Sequence, residues 1–564
     1  DRGPVTITVE VIAPDLSKDF VVVKPLARSI TPGVTNGVFS FTLSEPGQIT
    51  IQPGGTRNEP SLFKPLHIFA NPLEIDPPSP GDPGVIYYGP GVHEVEQIQV
   101  GNNETLYLAG GAVVRAAASG LEKPFVKVEN ANNVTIRGRG VLCGRLRVQD
   151  HRAGAKEVRI IDVGNSDHVS IEGLVLREPE GWTCFIRDGS DYATVDNVKI
   201  IAADASSDGF VLTGGSHSVV KNSFCHNSDD AFETKAWPPD ATDILFENNI
   251  AWSTVASAFA HSAETEANVS NVRFRNCTVI NASYNLSDRA PIGISVNGRF
   301  NISDYLFENI TIEYIQAKGP ADVEQMPPIR VQNNQEAGFP PAPEVGYEEV
   351  DPDPGHNRPR GNIKNIIFRN INVISTINED VVVMADAEAS PIFNVTFENV
   401  VINGTGLVPE DPRIKSNAWV TDLSVQCDPI AMWVASYGLS GTDALPLADP
   451  DRDSLTNLME FGFSGNPTIP DHGAQGLKHG FTTAVNGDSL LEITYSRPLN
   501  WKALGLNYEI EVSTDLTKWS PPAVVQITSV PSGDGINEFT TVQVSTPANS
   551  RSLFARIVIQ GISP

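Results

Sequence analysis

Nine short segments of this 564-residue chain follow one template, and that repetition limits the possible folds more than any other feature. NVTIRG (133–138), HVSIEG (168–173), YATVDN (192–197), HSVVKN (217–222), DILFEN (243–248), NVRFRN (271–276), DYLFEN (304–309), NIIFRN (365–370) and NVTFEN (394–399) alternate apolar and polar positions and end in Asn or Gly. They recur about every 25 residues, with no helical pattern between them. Short strands at that period imply a parallel β-solenoid, in which each turn buries its apolar face only by stacking on its neighbours. Equivalent positions on adjacent rungs then lie about 4.8 Å apart. The expected fold is all-β: a parallel β-helix of about ten rungs, with an N-terminal β-sandwich and a small β-rich C-terminal domain.

The flanks define the other parts. Residues 1–71 alternate in short runs (VTITVEV, DFVVVKP, GVFSFTL, GQITIQP) broken by Gly and Pro, as in a small sandwich. NPLEIDPPSPGDPG (71–84) reads as a Pro-rich connector. The expected division is therefore 1–84, a solenoid over 85–411 and a C-terminal module over 412–564. Between Ile310 and Asn365 the repeat is interrupted by a polar, Pro-rich stretch that reads as a long loop over one face. Near the C-terminus a helix-like patch (PIAMWVASYGL) precedes strands such as LLEITYSRP and LFARIVIQ.

Composition excludes some partners. Lys and Arg number 40 against 68 Asp and Glu, a net charge of −28, and no basic stripe offsets that field. Nucleic acid and anionic membranes are therefore not expected partners. No apolar run reaches the roughly 18 residues of a membrane span. The five cysteines, Cys143, Cys184, Cys225, Cys277 and Cys427, show no metal-ligand spacing and read as buried thiols. The chain begins at Asp1 rather than Met, a start compatible with removal of a signal peptide or with trimming. Secretion is the expectation.

The chemistry concentrates in one stretch, SDGFVLTGGSHSVVKNSFCHNSDD (207–230). Asp208 stands 11 residues after Asn197, and Asp229 and Asp230 stand 7 and 8 after Asn222, so the acids are neighbours on adjoining rungs. Crowded carboxylates raise one another's pKa. An enzyme needing a protonated acid beside an ionised base exploits that, and glycoside hydrolysis has this requirement. The competing readings are acidic turns that cap the loops or bind a cation.

SSDGF followed by NSDD resembles the paired motifs of the polygalacturonase and dextranase clan, glycoside hydrolase families 28 and 49. YYGPGVH (87–93), LYLAGGAVV (106–114) and the N-terminal sandwich add to the resemblance, which covers roughly 85–410. It implies a right-handed β-helix and an inverting mechanism, with Asp229 as general acid and Asp208 and Asp230 activating water. The sequence departs from the polygalacturonase pattern. Where that family carries Gly-His-Gly and then Arg-Ile-Lys, this chain reads VASAFAHSAE (255–264) and APIGISVNG (290–298). The missing cations favour a neutral glucan such as dextran or pullulan over galacturonan. AFETK is not a clean match to the dextranase branch either.

Candidate substrate-binding residues are Trp182, Trp237 and Trp252, whose faces stack on sugar rings, with Glu233, Lys235, His261 and Arg289 as polar contacts. Trp237, followed by Pro238 and Pro239, is the leading platform. His226 is a further candidate for orienting a carboxylate. Each has an ordinary structural alternative, as a core aromatic, a satisfied histidine or a solvated charge. No cofactor is expected for catalysis. DPDRDSLTNLME (449–460) places Asp449, Asp451, Asp453, Asn457 and Glu460 at positions 1, 3, 5, 9 and 12 of an EF-hand-type loop, an expected structural Ca2+ site. Its sixth position is Ser454 where Gly is usual. Two other classes fit a solenoid: a polysaccharide lyase, which needs a basic cluster not evident here, and a non-catalytic carbohydrate-binding adhesin.

Overall fold

The repeat folds as the alternation predicts, and its punctuation explains why. The computed structural model describes residues 3–12, 21–35, 37–53, 55–56, 59–60, 65–117, 124–144, 159–179, 181–203, 206–283, 289–296, 298–316, 326–333, 361–426, 428–439, 441–470, 478–483, 489–502, 504–533, 537–545 and 553–561. The first residue of each template segment, from Asn133 and His168 to Asn365 and Asn394, has a left-handed backbone. So does the last, Asn or Gly, from Gly138 and Gly173 to Asn370 and Asn399. Asn and Gly tolerate that conformation best, so each copy is a short strand bracketed by two sharp bends.

Successive rungs pair in parallel and in register. One sheet of 21 strands carries the template segments and the strands after them, and a second sheet of 11 strands closes each turn. A parallel β-helix with eleven strands in that closing sheet is the result. The interior is apolar and layered. Phe246, Phe274, Phe307, Phe368 and Phe397 stack with ring centroids 4.5–5.3 Å apart. On the outside, Asn side chains bond rung to rung, as in Asn309 Nδ2 to Asn276 Oδ1 at 3.0 Å and Asn370 Nδ2 to Asn309 Oδ1 at 2.9 Å.

Near the N-terminus, one antiparallel sheet contains Val5–Glu10 and Val38–Leu43 and another contains Val21–Lys24, Gly47–Pro53 and Leu66–Ala70. Phe39, Phe41, Ile49 and Ile51 share one core between them. The chain forms two compact units, Asp1–Gln426 and Cys427–Pro564. Within the first, parallel pairing runs past residue 411: Val420–Gln426 adds to Ile392–Ile402 and Ile414–Ser416 to Val381–Ala385. The second unit has helices Pro429–Ser436 and Asn457–Phe463, a four-stranded antiparallel sheet and a two-stranded one. Among the described residues no helix is long and apolar enough to cross a membrane. Cys143, Cys184, Cys225 and Cys277 are buried free thiols, and Cys427 lies outside the described residues. Most of the interrupting stretch, 317–325 and 334–360, also lies outside them.

Candidate active site

All three predicted acids sit just before strands of the 11-stranded sheet. Asp208 precedes Phe210–Thr213, and Asp229 and Asp230 precede the next rung's strand, Phe232–Ala236. Pairing sets Phe210 against Phe232, Val211 against Glu233 and Thr213 against Lys235. Phe210, Leu212, Phe232 and Ala236 face the apolar core. Strand alternation therefore turns Val211, Glu233 and Lys235 outward, onto the face that carries the acids.

The turns are fixed by backbone contacts. Asn227 Nδ2 donates to Ser207 O at 3.0 Å and Asp230 O at 2.8 Å, clamping the two acidic turns together. The DG pair has a steric cause as well. A Cβ on Gly209 would lie 2.3 Å from Ala231 O and 2.5 Å from Cys225 Sγ, so only glycine lets the rungs approach. Asp229 Oδ1 accepts from the Asp230 N–H at 2.9 Å, and Asp230 Oδ1 accepts from the Ser257 N–H at 2.7 Å.

Asp208, Asp230 and Glu233 each present an oxygen within 4.8 Å of the others. Lys235 is the cation among them, with Nζ 3.5 Å from both Asp208 and Glu233 and 2.6 Å from Glu264. One ammonium does not neutralise this many carboxylates, so protons are retained. Burial pushes the Asp208 carboxyl up to about 6; Lys235 opposes the shift, while Asp230 and Glu264 add to it. Asp229 is held well above the usual carboxylate range by burial and then by Asp208 and Asp230. Glu233 is raised in the same way, with burial the largest cause.

The remaining candidates divide. Trp182 and Trp237 stay at the site: their rings lie 5.3 Å apart, Lys235 Nζ sits 4.9 Å from the Trp182 ring, and Trp237 is half-buried. Arg289 lines a small pocket with Ser257, His261 and Arg330, beside the Ser257 N–H that holds Asp230. Glu233 and Lys235 are present but not as sugar contacts. Glu233 has no exposed surface, and the Lys235 ammonium is taken up by three carboxylates.

His261 and Trp252 are corrected more fully. His261 pairs with Thr234 on the inward-facing row and bonds Thr234 Oγ1 at 3.1 Å, Tyr305 OH at 3.2 Å and Thr265 Oγ1 at 3.3 Å. It is a satisfied core histidine, and burial lowers its pKa to about 3. Trp252 belongs to the 21-stranded sheet and is buried with Phe224, Ile280 and Phe69. His226 stacks on Trp252 at 4.5 Å and bonds His67 at 2.9 Å, so it too is away from the acids. Sequence reading missed Glu264, the closest partner of Lys235, and Arg330. Their only signal was an outward position on the rungs after the DD pair, and the repeat is least regular there.

In the second unit Asp449, Asp451 and Asp453 bring their carboxylate oxygens within 4.8 Å of one another, a group that does not include Glu460. Ser454 adopts the left-handed conformation (φ 80°) that the loop requires of its sixth residue. Asn457 donates to Asp443 O and Leu445 O, both at 2.8 Å, and Glu460 is fully buried on the helix Asn457–Phe463.

Residues 159–335 match the family model described as the right handed beta helix region. The chain resembles Dex49A from Penicillium minioluteum at 15% identity and TM-score 0.47, over 75% of this chain and 82% of that one. It also resembles an endo-xylogalacturonan hydrolase from Aspergillus tubingensis (12% identity, TM-score 0.38, 61% and 85% covered). A third likeness is PfbA, a surface adhesin of Streptococcus pneumoniae (11% identity, TM-score 0.33, 61% and 83% covered). No curated protein sequence matches. The functional reading rests on the geometry of the site.

Proposed function

We propose that this protein is a secreted glycoside hydrolase that cleaves α-glycosidic bonds of a polysaccharide with inversion. The observation carrying this reading is the grouping of Asp208 and Asp230 with Glu233 beside the Lys235 ammonium, with Asp229 next in the chain and raised by burial and by Asp208 and Asp230. Asp229, kept protonated by burial and by its two neighbours, gives its proton to the glycosidic oxygen as the bond to the anomeric carbon breaks. Asp208 and Asp230 orient water, and its proton passes to that pair as the oxygen attacks from the opposite side. Trp182 and Trp237 supply an aromatic wall beside the acids. A neutral glucan of the dextran or pullulan type is the first substrate class.

Arg289 and Arg330 favour a second reading. Both residues belong to the small pocket that includes Ser257, whose N–H holds Asp230, and two arginines this near the acids would suit a carboxylated polysaccharide of the galacturonan type. A panel of neutral and uronate polysaccharides, scored by new reducing ends, decides between the two. Early-time proton NMR of the product reports the anomeric outcome. Retention would overturn the mechanism, an ultraviolet-absorbing unsaturated end would indicate a lyase, and binding without product would indicate an adhesin.

For the second unit we propose a structural Ca2+ held by Asp449, Asp451 and Asp453, with Asn457 and Glu460 completing the loop. The grouped oxygens, a buried Asp451 Oδ2 without a hydrogen-bond partner and the left-handed Ser454 support it.

A further inference from the structure

Glu233 is the carboxyl that the catalytic scheme does not use, and it lies inside the acid cluster. One of its oxygens lies within 4.8 Å of an oxygen of Asp208, and both groups are buried. Two buried carboxyl groups this close, sharing one ammonium, repel each other unless one of them carries a proton. Among the described residues, no donor other than the Lys235 ammonium reaches either Glu233 oxygen, so an ionised Glu233 would be poorly solvated. Lys235 Nζ lies 3.5 Å from each of the two carboxylates and so does not favour one. Their surroundings do. Glu233 sits mid-strand between Val211 and Ala260 with no exposed surface, whereas Asp208 stands just ahead of its strand and keeps slight exposure. The proton is cheaper to keep on the more desolvated group.

We infer that Glu233 is a positioning residue that stays protonated and donates its carboxyl O–H to Asp208, holding Asp208 as the anion that receives the proton of the attacking water. This inference rests on the hydrolase reading for the role of Asp208, but not for the proton on Glu233. The charged and titratable groups around the pair are Asp229, Asp230, Lys235 and Glu264, with Cys225 beneath Asp208 and neutral His261 on the inner side of the sheet. Burial is the largest cause raising both carboxyls, and Glu233, with no exposed surface, is the more desolvated of the two.

The test uses E233Q, which keeps a donor, and E233A, which does not, in the full chain. Infrared difference spectra at neutral pH should show a protonated-carboxyl stretch in the parent that disappears in E233Q. This arm needs no substrate, so it decides the proton on Glu233 even if no polysaccharide is hydrolysed. In the kinetic arm, E233Q should keep kcat/KM within about tenfold of the parent, and E233A should move the acid limb up by about one pH unit, because Asp208 loses a donor to its charged form. Three results would each overturn the inference: no carboxyl band lost in E233Q, an unmoved acid limb in a folded E233A, or E233Q as inactive as D208N, which would make Glu233 the base.

Discussion

The two outer faces of the β-helix bury polar side chains in opposite ways. On the 21-stranded sheet, His226 and Trp252 are covered by His67 and Phe69 of the strand Leu66–Ala70, and His67 finds Thr50 Oγ1 at 2.8 Å and His226 Nδ1 at 2.9 Å. Each imidazole there has a neutral hydrogen-bond partner. On the 11-stranded sheet, Asp208, Asp229, Asp230 and Glu233 are gathered against one lysine, and their mutual repulsion is retained. Burial alone therefore does not distinguish a functional face from a structural one. What distinguishes them is whether the buried groups satisfy one another or are held in conflict.

Substitutions that separate chemistry from stability sharpen this contrast most. D229N should lower kcat by about 10³-fold with little change in melting temperature, because its proton acts in the transition state. A substrate with a very good leaving group should recover part of that loss, and D208N or D230N should show no such recovery. Near-parent turnover in D229N would break the assignment of the acid face. Next come the tryptophans. W252A should cost about 3–5 kcal/mol in denaturant unfolding, as for a large buried aromatic. W237A, at a half-buried site, should leave stability nearly unchanged and raise KM.

The covered face should also respond to acid. Burial lowers His67 to about 3 and His226 to about 4, below the ordinary value of 6.5. The unfolded chain therefore binds protons that the folded one refuses, so their contribution is complete above about pH 6.5 and is lost as pH falls toward the folded values. The slope should approach 1.4 kcal/mol per pH unit for each histidine, and H226F should flatten it. A melting temperature independent of pH between 6.5 and 4.5 would show that the pair titrates freely. The smallest effect belongs to the second unit: Ca2+ should raise its melting temperature by about 2–4 °C, and D451N should remove the response.

The fold was legible because its code is local. Alternation and the terminal Asn or Gly encode strands and bends within six residues, and stacking follows from repetition. Asp208, Asp229 and Asp230 were legible for the same reason, since rung arithmetic places them side by side. His261 and Trp252 were misread because rung arithmetic gives height along the helix and not the direction of a side chain. His261 falls on an inward row, and Trp252 on a sheet covered by a strand about 185 residues earlier in the chain. No spacing rule within the repeat carries that long-range contact. Glu233 was placed at the site but given a surface role, because nothing in AFETK signals that its neighbours on adjoining rungs are Val211 and Ala260.

The bracketing bends have a consequence for how such a chain can change. Asp304 and Asn309 bond to Asn365 and Asn370, 61 residues onward, at 2.8 and 2.9 Å, while Asn222 and Asn248 make the same kind of contact across 26. A rung more than twice the ordinary length docks in the same register as a short one, because each segment announces its own start and stop instead of being counted from the last. Genetic insertions between a stop and the next start are thus tolerated by the scaffold. New walls can be grafted beside the acids without shifting the acids themselves.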